Sequence, residues 1–168
     1  MGIISLEKAD HLFWLGRYTE RVFTTLNTFF TYYDKMLDVE EEVYKKFCEK
    51  LAIPMVYKDK EDFIRTYLFS ENDPNSVYSN ILRAFDNAVV LRDELSSKTL
   101  SYIQMALDCI EHAKDSQALV YDLQPVIDDL FKVMLYLAVQ LDHPKVIDNQ
   151  QVMCVQLPEE VCFPSFQM

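Results

Sequence analysis

Apolar residues recur at helical spacing along the first forty positions: Leu12, Leu15, Val22, Leu26, Phe29, Tyr33 and Met36. At 100° per residue they fall on one stripe, the signature of a helix packed on a core. No proline interrupts the run, so a single long helix is predicted from Ser5 or Leu6 to about Leu37, with Ser5 as N-cap. A second helix is expected from about Val39 to Leu51. Its glutamates (Glu40, Glu41, Glu42) precede its lysines (Lys45, Lys46, Lys50), the order the helix dipole favours, and Pro54 should stop it. Asp59 to Phe69 reads as a short third helix. The turn 70–76 follows, and a fourth helix then runs to about Leu95 on Val77, Ile81, Ala84, Phe85, Ala88 and Leu95. Ser96 or Ser97 can cap a fifth helix that ends near Lys114. A sixth, from about Leu119 to Leu141, carries Pro125 near its start and is apolar around most of its circumference. After His143-Pro144 the periodicity stops. The pattern therefore gives an all-α bundle of five or six helices, with the long first helix packed on the fourth and sixth. It forms one domain over 1–143, with an irregular tail over 144–168 docked on it.

Composition narrows this further. With 168 residues, half of them apolar, the chain is long enough for one sizeable core. The two glycines, Gly2 and Gly16, are too few for a Rossmann unit, a phosphate-cradling loop or a sandwich. A net charge of −11 argues against nucleic acid and against an anionic membrane surface as partners. The start shows no signal-peptide pattern and no apolar run reaches spanning length, so a cytoplasmic protein is expected. Cys48, Cys109, Cys154 and Cys162 show no zinc-like spacing, and Cys48 and Cys109 read as small core residues.

Two places depart from a plain amphipathic pattern. Trp14, Arg17 and Arg21 line one side of the first helix, roughly opposite its apolar stripe, so this helix has a second face with something to touch. Arg92 falls, by spacing, on the same face of the fourth helix as Ile81, Phe85, Ala88 and Leu95. A cation inside an apolar stripe must snorkel or pair, and Glu20 is the expected partner, with Arg17 or Arg21 as the alternative to Arg92. Asn87, Arg83 and Glu94 make a polar face that a solvated helix surface explains. Glu7 and His11 stand four apart, as two metal ligands could. No second Glu-x-x-His pair completes a bundle site, so no metal and no cofactor is expected. Nucleophile motifs are missing as well. The candidate ligand- or partner-binding residues are thus Trp14, Arg17, Glu20, Arg21, Asn87 and Arg92, with catalysis unassigned.

Phe13-Trp14-Leu15-Gly16-Arg17-Tyr18-Thr19-Glu20-Arg21 resembles the (Y/F)WLGRYxER signature of the bacterial alpha-E proteins. Asp73-Pro74-Asn75-Ser76-Val77, Asn87-Ala88 and Leu91-Arg92-Asp93-Glu94-Leu95-Ser96-Ser97 are similar to that family's NPxSI…NA…VRDxxS segment. Val89 and Lys98-Thr99-Leu100 depart from the family pattern. The resemblance implies an all-helical protein associated with circularly permuted ATP-grasp and transglutaminase-like proteins. It points to an accessory or interaction role in an amide-forming system. The alternative is an enzyme, or a protein that binds a small anionic ligand in an Arg/Glu pocket. A homodimer is expected from the apolar sixth helix.

Overall fold

The computed structural model describes residues 5–38, 43–116 and 118–142. They form six helices: α1 (Leu6–Asp38), α2 (Val43–Lys50), α3 (Lys60–Phe69), α4 (Val77–Val90), α5 (Ser97–Ala113) and α6 (Leu119–Asp142). The 144–168 tail and the start expected for the second helix, residues 39–42, lie outside the described residues.

Local chemistry sets most boundaries. The Lys8 amide donates to Ser5 Oγ at 3.2 Å, which makes Ser5 the cap of α1. Asp59, Ser76 and Ser96 cap α3, α4 and α5 by accepting from the amides of Asp62, Ser79 and Thr99. α2 stops before Pro54 is reached. Ala52 turns left-handed at φ 53°, and the Ile53 amide returns to the Cys48 carbonyl at 2.8 Å, closing the helix end.

The four longer helices close a ring: α1 packs on α4, α4 on α5, α5 on α6, and α6 on α1. Neighbours run antiparallel. Tyr78 at the start of α4 bonds Glu111 near the end of α5, and Tyr102 early in α5 stacks on Tyr136 late in α6. Leu15, Val22, Leu26 and Phe29 of α1 meet Ile81, Ala84 and Ala88 of α4 and Val126, Leu130 and Val133 of α6 in the core. All ten are at most 1% exposed. α2 and α3 flank the bundle and bring Phe47, Phe63 and Tyr67 into an aromatic cluster with Phe29. On α6, Phe131 and Leu135 stay about half exposed, so this helix is not buried all round.

The fourth helix is shorter than the pattern predicts. It ends at Val90, and 91–95 form a turn held by Glu94 and Leu95 amides on the Leu91 carbonyl. Leu91 thus turns into the core at 2% exposure, and Arg92 leaves the apolar stripe. Asp93 and Glu94 explain the stop. Carboxylates at the end of α4 would oppose its dipole, whereas just before α5 they complement the next one.

Candidate functional site

The site is built on the α1–α4 interface. Four pairs cross it in reverse order: Lys8 with Glu94, His11 with Asn87, Tyr18 with Arg83, and Arg21 with Asn80. The core stripe of α1 faces inward, so this second row of side chains must meet α4 at the rim. Toward the middle of the row, Phe13, Trp14, Arg17, Tyr18, Arg21 and Arg83 line a cleft of about 350 Å³. A second hollow of about 230 Å³ shares Arg17 and Arg21 and adds Glu20, Thr24 and Thr25.

The loop before α4 fastens one wall. Asn80, 1% exposed, donates to the carbonyls of Pro74 at 3.1 Å and Ser76 at 2.6 Å. Its Oδ1 accepts from Arg21 at 3.4 Å. Arg83 donates to the same Pro74 carbonyl at 3.1 Å, and its guanidinium carbon lies 5.8 Å from the centre of the Tyr18 ring. Ser76 Oγ donates to the Ser70 carbonyl, and Ser79 Oγ to the Asp73 carbonyl at 2.7 Å, so the loop is tied along its length. The opposite wall is aromatic. Trp14 stacks on Tyr18 with centroids 5.6 Å apart, and Phe13 meets Trp14 edge-on at 5.4 Å. Phe13 and Trp14 are each 42% exposed.

Of the sequence-predicted residues, Trp14, Arg17, Glu20 and Arg21 come together here. Glu20 pairs with Arg17, its near neighbour on α1, at 3.2 Å, and both side chains are about half exposed. The expected Glu20–Arg92 pair does not form. Arg92 lies in the turn after α4, 69% exposed, with its Nε 3.9 Å from Asp93. Asn87 sits one turn beyond Arg83, where its Oδ1 is 2.7 Å from His11 Nδ1. His11 therefore turns to α4, and among the described residues no three of His, Cys, Asp and Glu gather as metal donors.

Arg83, Asn80 and Tyr18 join the site without being predicted from the sequence. In the sequence pattern Arg83 falls on a face that a solvated helix surface explains. The available signal was its spacing: Asn80, Arg83 and Asn87 share one face of α4, and the antiparallel packing lays that face along Tyr18 and Arg21.

An all-helical ring with a cleft at its most unusual sequence stretch defines the class of protein. The chain matches, over residues 7–154, the model of the Alpha-E family, a predicted alpha-helical domain with a conserved ER motif, and it belongs to that family. The chain's one Glu-Arg dipeptide is Glu20-Arg21, on the wall of the second hollow. No curated protein and no solved structure matches it. Among the described residues, no helix is long and apolar enough to cross a membrane.

Proposed function

We propose that the chain is a helical accessory module that holds a protein partner at the Phe13–Trp14 cleft, within an amide-forming system of the ATP-grasp or transglutaminase-like type. The observation that carries the interaction reading is the exposure of two large aromatic side chains beside three guanidinium groups. Water contact with Phe13 and Trp14 costs free energy that burial against a partner recovers, at about 25 cal/mol per Å² of apolar surface. Aromatic and arginine side chains are also the types that anchor interfaces. The class of partner rests on the family resemblance. Catalysis at this cleft has less support, because its lining offers guanidinium groups, indole, phenyl and phenol but no thiol, imidazole or carboxylate.

The test is affinity capture from the native host with the full chain as bait, followed by mass spectrometry. An ATP-grasp or transglutaminase-like protein should be held by the wild-type chain and lost with Trp14→Ala. Equal capture by both would remove the cleft from the interaction.

Self-association belongs to the same proposal. Phe131 and Leu135 stand one turn apart on α6, about half exposed, and Phe131 lies 6.3 Å from Phe23 of α1 between ring centres. That apolar strip supports a homodimer. Light scattering should give twice the chain mass, and Phe131→Glu should give the single chain. A wild-type monomer at micromolar concentration would contradict this.

A further inference from the structure

The chain carries 27 acidic and 16 basic side chains, yet the cleft and the hollow beside it collect three arginines against one carboxylate. That carboxylate, Glu20, is taken by Arg17. Arg21 and Arg83 meet neutral acceptors: the Asn80 amide oxygen at 3.4 Å and the Pro74 carbonyl at 3.1 Å. Among the described residues no carboxylate pairs with either one. A guanidinium has five N–H donors in a planar fork, so each keeps donors and an unneutralised charge.

We propose that Arg21 and Arg83 form an oxyanion subsite in this cleft, which takes a single carboxylate presented by a partner protein segment next to an aromatic or aliphatic side chain. This rests on the partner-binding reading above and names the chemistry that the partner brings. Both arginines are held in advance. Arg83 hangs on the Pro74 carbonyl, and Arg21 on Asn80, which the same carbonyl fixes. Groups ordered before binding lose less entropy when the ligand arrives. The Trp14–Tyr18 stack beside them offers an apolar wall for the body that carries the anion. The net charge of −11 bears on the size of the charge accepted: repulsion by the rest of the molecule grows with the charge of the ligand, so a single oxyanion is disfavoured less than a polyanion.

The chain's one tryptophan is Trp14, so its fluorescence reports on this cleft. Three probes separate the possibilities: hippurate, a carboxylate beside an aromatic ring; hippuramide, its neutral counterpart; and phenyl phosphate. Hippurate should bind saturably by Trp14 emission and by calorimetry, more weakly as salt is added, and hippuramide should not bind. Arg83→Gln and Arg21→Gln should each weaken hippurate about tenfold, the loss expected for one charge-assisted bond. Glu20→Gln frees Arg17 and should tighten binding severalfold. Arg92→Gln, away from the cleft, should change nothing. Should Arg83→Gln lose helicity, Arg21→Gln decides, because Arg21 bonds the Asn80 side chain and not the backbone of the loop before α4. Phenyl phosphate binding without hippurate would overturn the carboxylate assignment. Equal binding of hippuramide, or full hippurate affinity in a helical Arg21→Gln chain, would overturn the subsite. Partner capture unaffected by Arg21→Gln would also overturn the subsite, though not the interaction. Hippurate binding with no partner captured would overturn the interaction while the subsite stands.

Discussion

Asn87 fixes the tautomer of His11. The Asn87 Nδ2 donates to the Arg83 carbonyl at 2.7 Å, which turns its Oδ1 toward His11 Nδ1, also at 2.7 Å. The amide oxygen has no proton to give, so in the neutral imidazole Nδ1 is the donor. Nitrogen-15 shifts in mildly alkaline solution should therefore show His11 in its Nδ1–H form. Asn87→Ala should shift the tautomer toward Nε2–H and cost about 1 kcal/mol, the worth of one ordinary hydrogen bond. An unchanged tautomer in that variant would show that this contact does not set it.

Thr19 is an uncompensated polar group. It is 0% exposed, and among the described residues its hydroxyl has no hydrogen-bond partner. It lies on the inward stripe of α1 between Leu15 and Val22. A buried hydroxyl without a partner costs about 1–3 kcal/mol. Thr19→Val keeps the shape and removes that cost, so it should raise stability in chemical denaturation by about 1 kcal/mol. A loss of stability would mean that the hydroxyl has a partner after all.

Glycine and alanine stand in exchanged places in this chain. Gly16 lies mid-helix, and a Cβ built there meets nothing within 4 Å. Ala52 holds φ 53°, a left-handed conformation suited to glycine. Gly16→Ala and Ala52→Gly should each stabilise by about 0.5–1 kcal/mol, additively, since they sit on separate elements. Thermal unfolding of the two variants and the double variant checks this. A destabilised Gly16→Ala chain would reveal an approach to that side of α1 that the ring of helices does not show.

Glu20 has a modest structural role. Its pair with Arg17 is about half exposed on both sides, and such pairs contribute about 0–1 kcal/mol. Glu20→Ala should therefore move the melting temperature little. A large drop would restore a buried cluster around Glu20.

The sequence makes the bundle legible because each helix repeats its apolar positions and announces its start with Ser or Asp. Ser5, Asp59, Ser76 and Ser96 all cap where such residues should. The end of α4 is less legible. Leu91 and Leu95 continue the apolar count through a tight turn, so periodicity alone places Arg92 in the stripe. Of the site, the α1 half shows in the sequence, since Trp14, Arg17, Glu20 and Arg21 share a helix and its spacing orders them. The α4 half depends on a register between two helices some sixty positions apart, as with Tyr18 and Arg83 or Arg21 and Asn80. No local rule encodes that register; it follows from how two apolar stripes mesh.

Alkaline pH should loosen the fold in a defined order. Burial pushes the Cys48 thiol up from its ordinary value of 9.0 to about 11. Burial likewise lifts the Tyr67 hydroxyl to about 12, against a smaller opposing effect of its hydrogen bond with Thr25, and it raises Tyr57 too. Tyr78 rises to about 12 chiefly because its hydroxyl donates to Glu111, at 2.8 Å. All four hold their protons more tightly folded than unfolded. Above the unfolded cysteine value the folded chain therefore binds more protons, and stability falls as pH rises. The stabilising contribution is whole below about pH 9 and is lost through pH 11 and 12. Melting temperature against pH should be flat on the neutral side of that window and fall within it. Cys48→Ala should remove the earliest part of the fall and Tyr67→Phe a later part, compared as slopes because either variant also changes core packing. A melting temperature that stays level through the window would mean that these groups are hydrated in the folded chain.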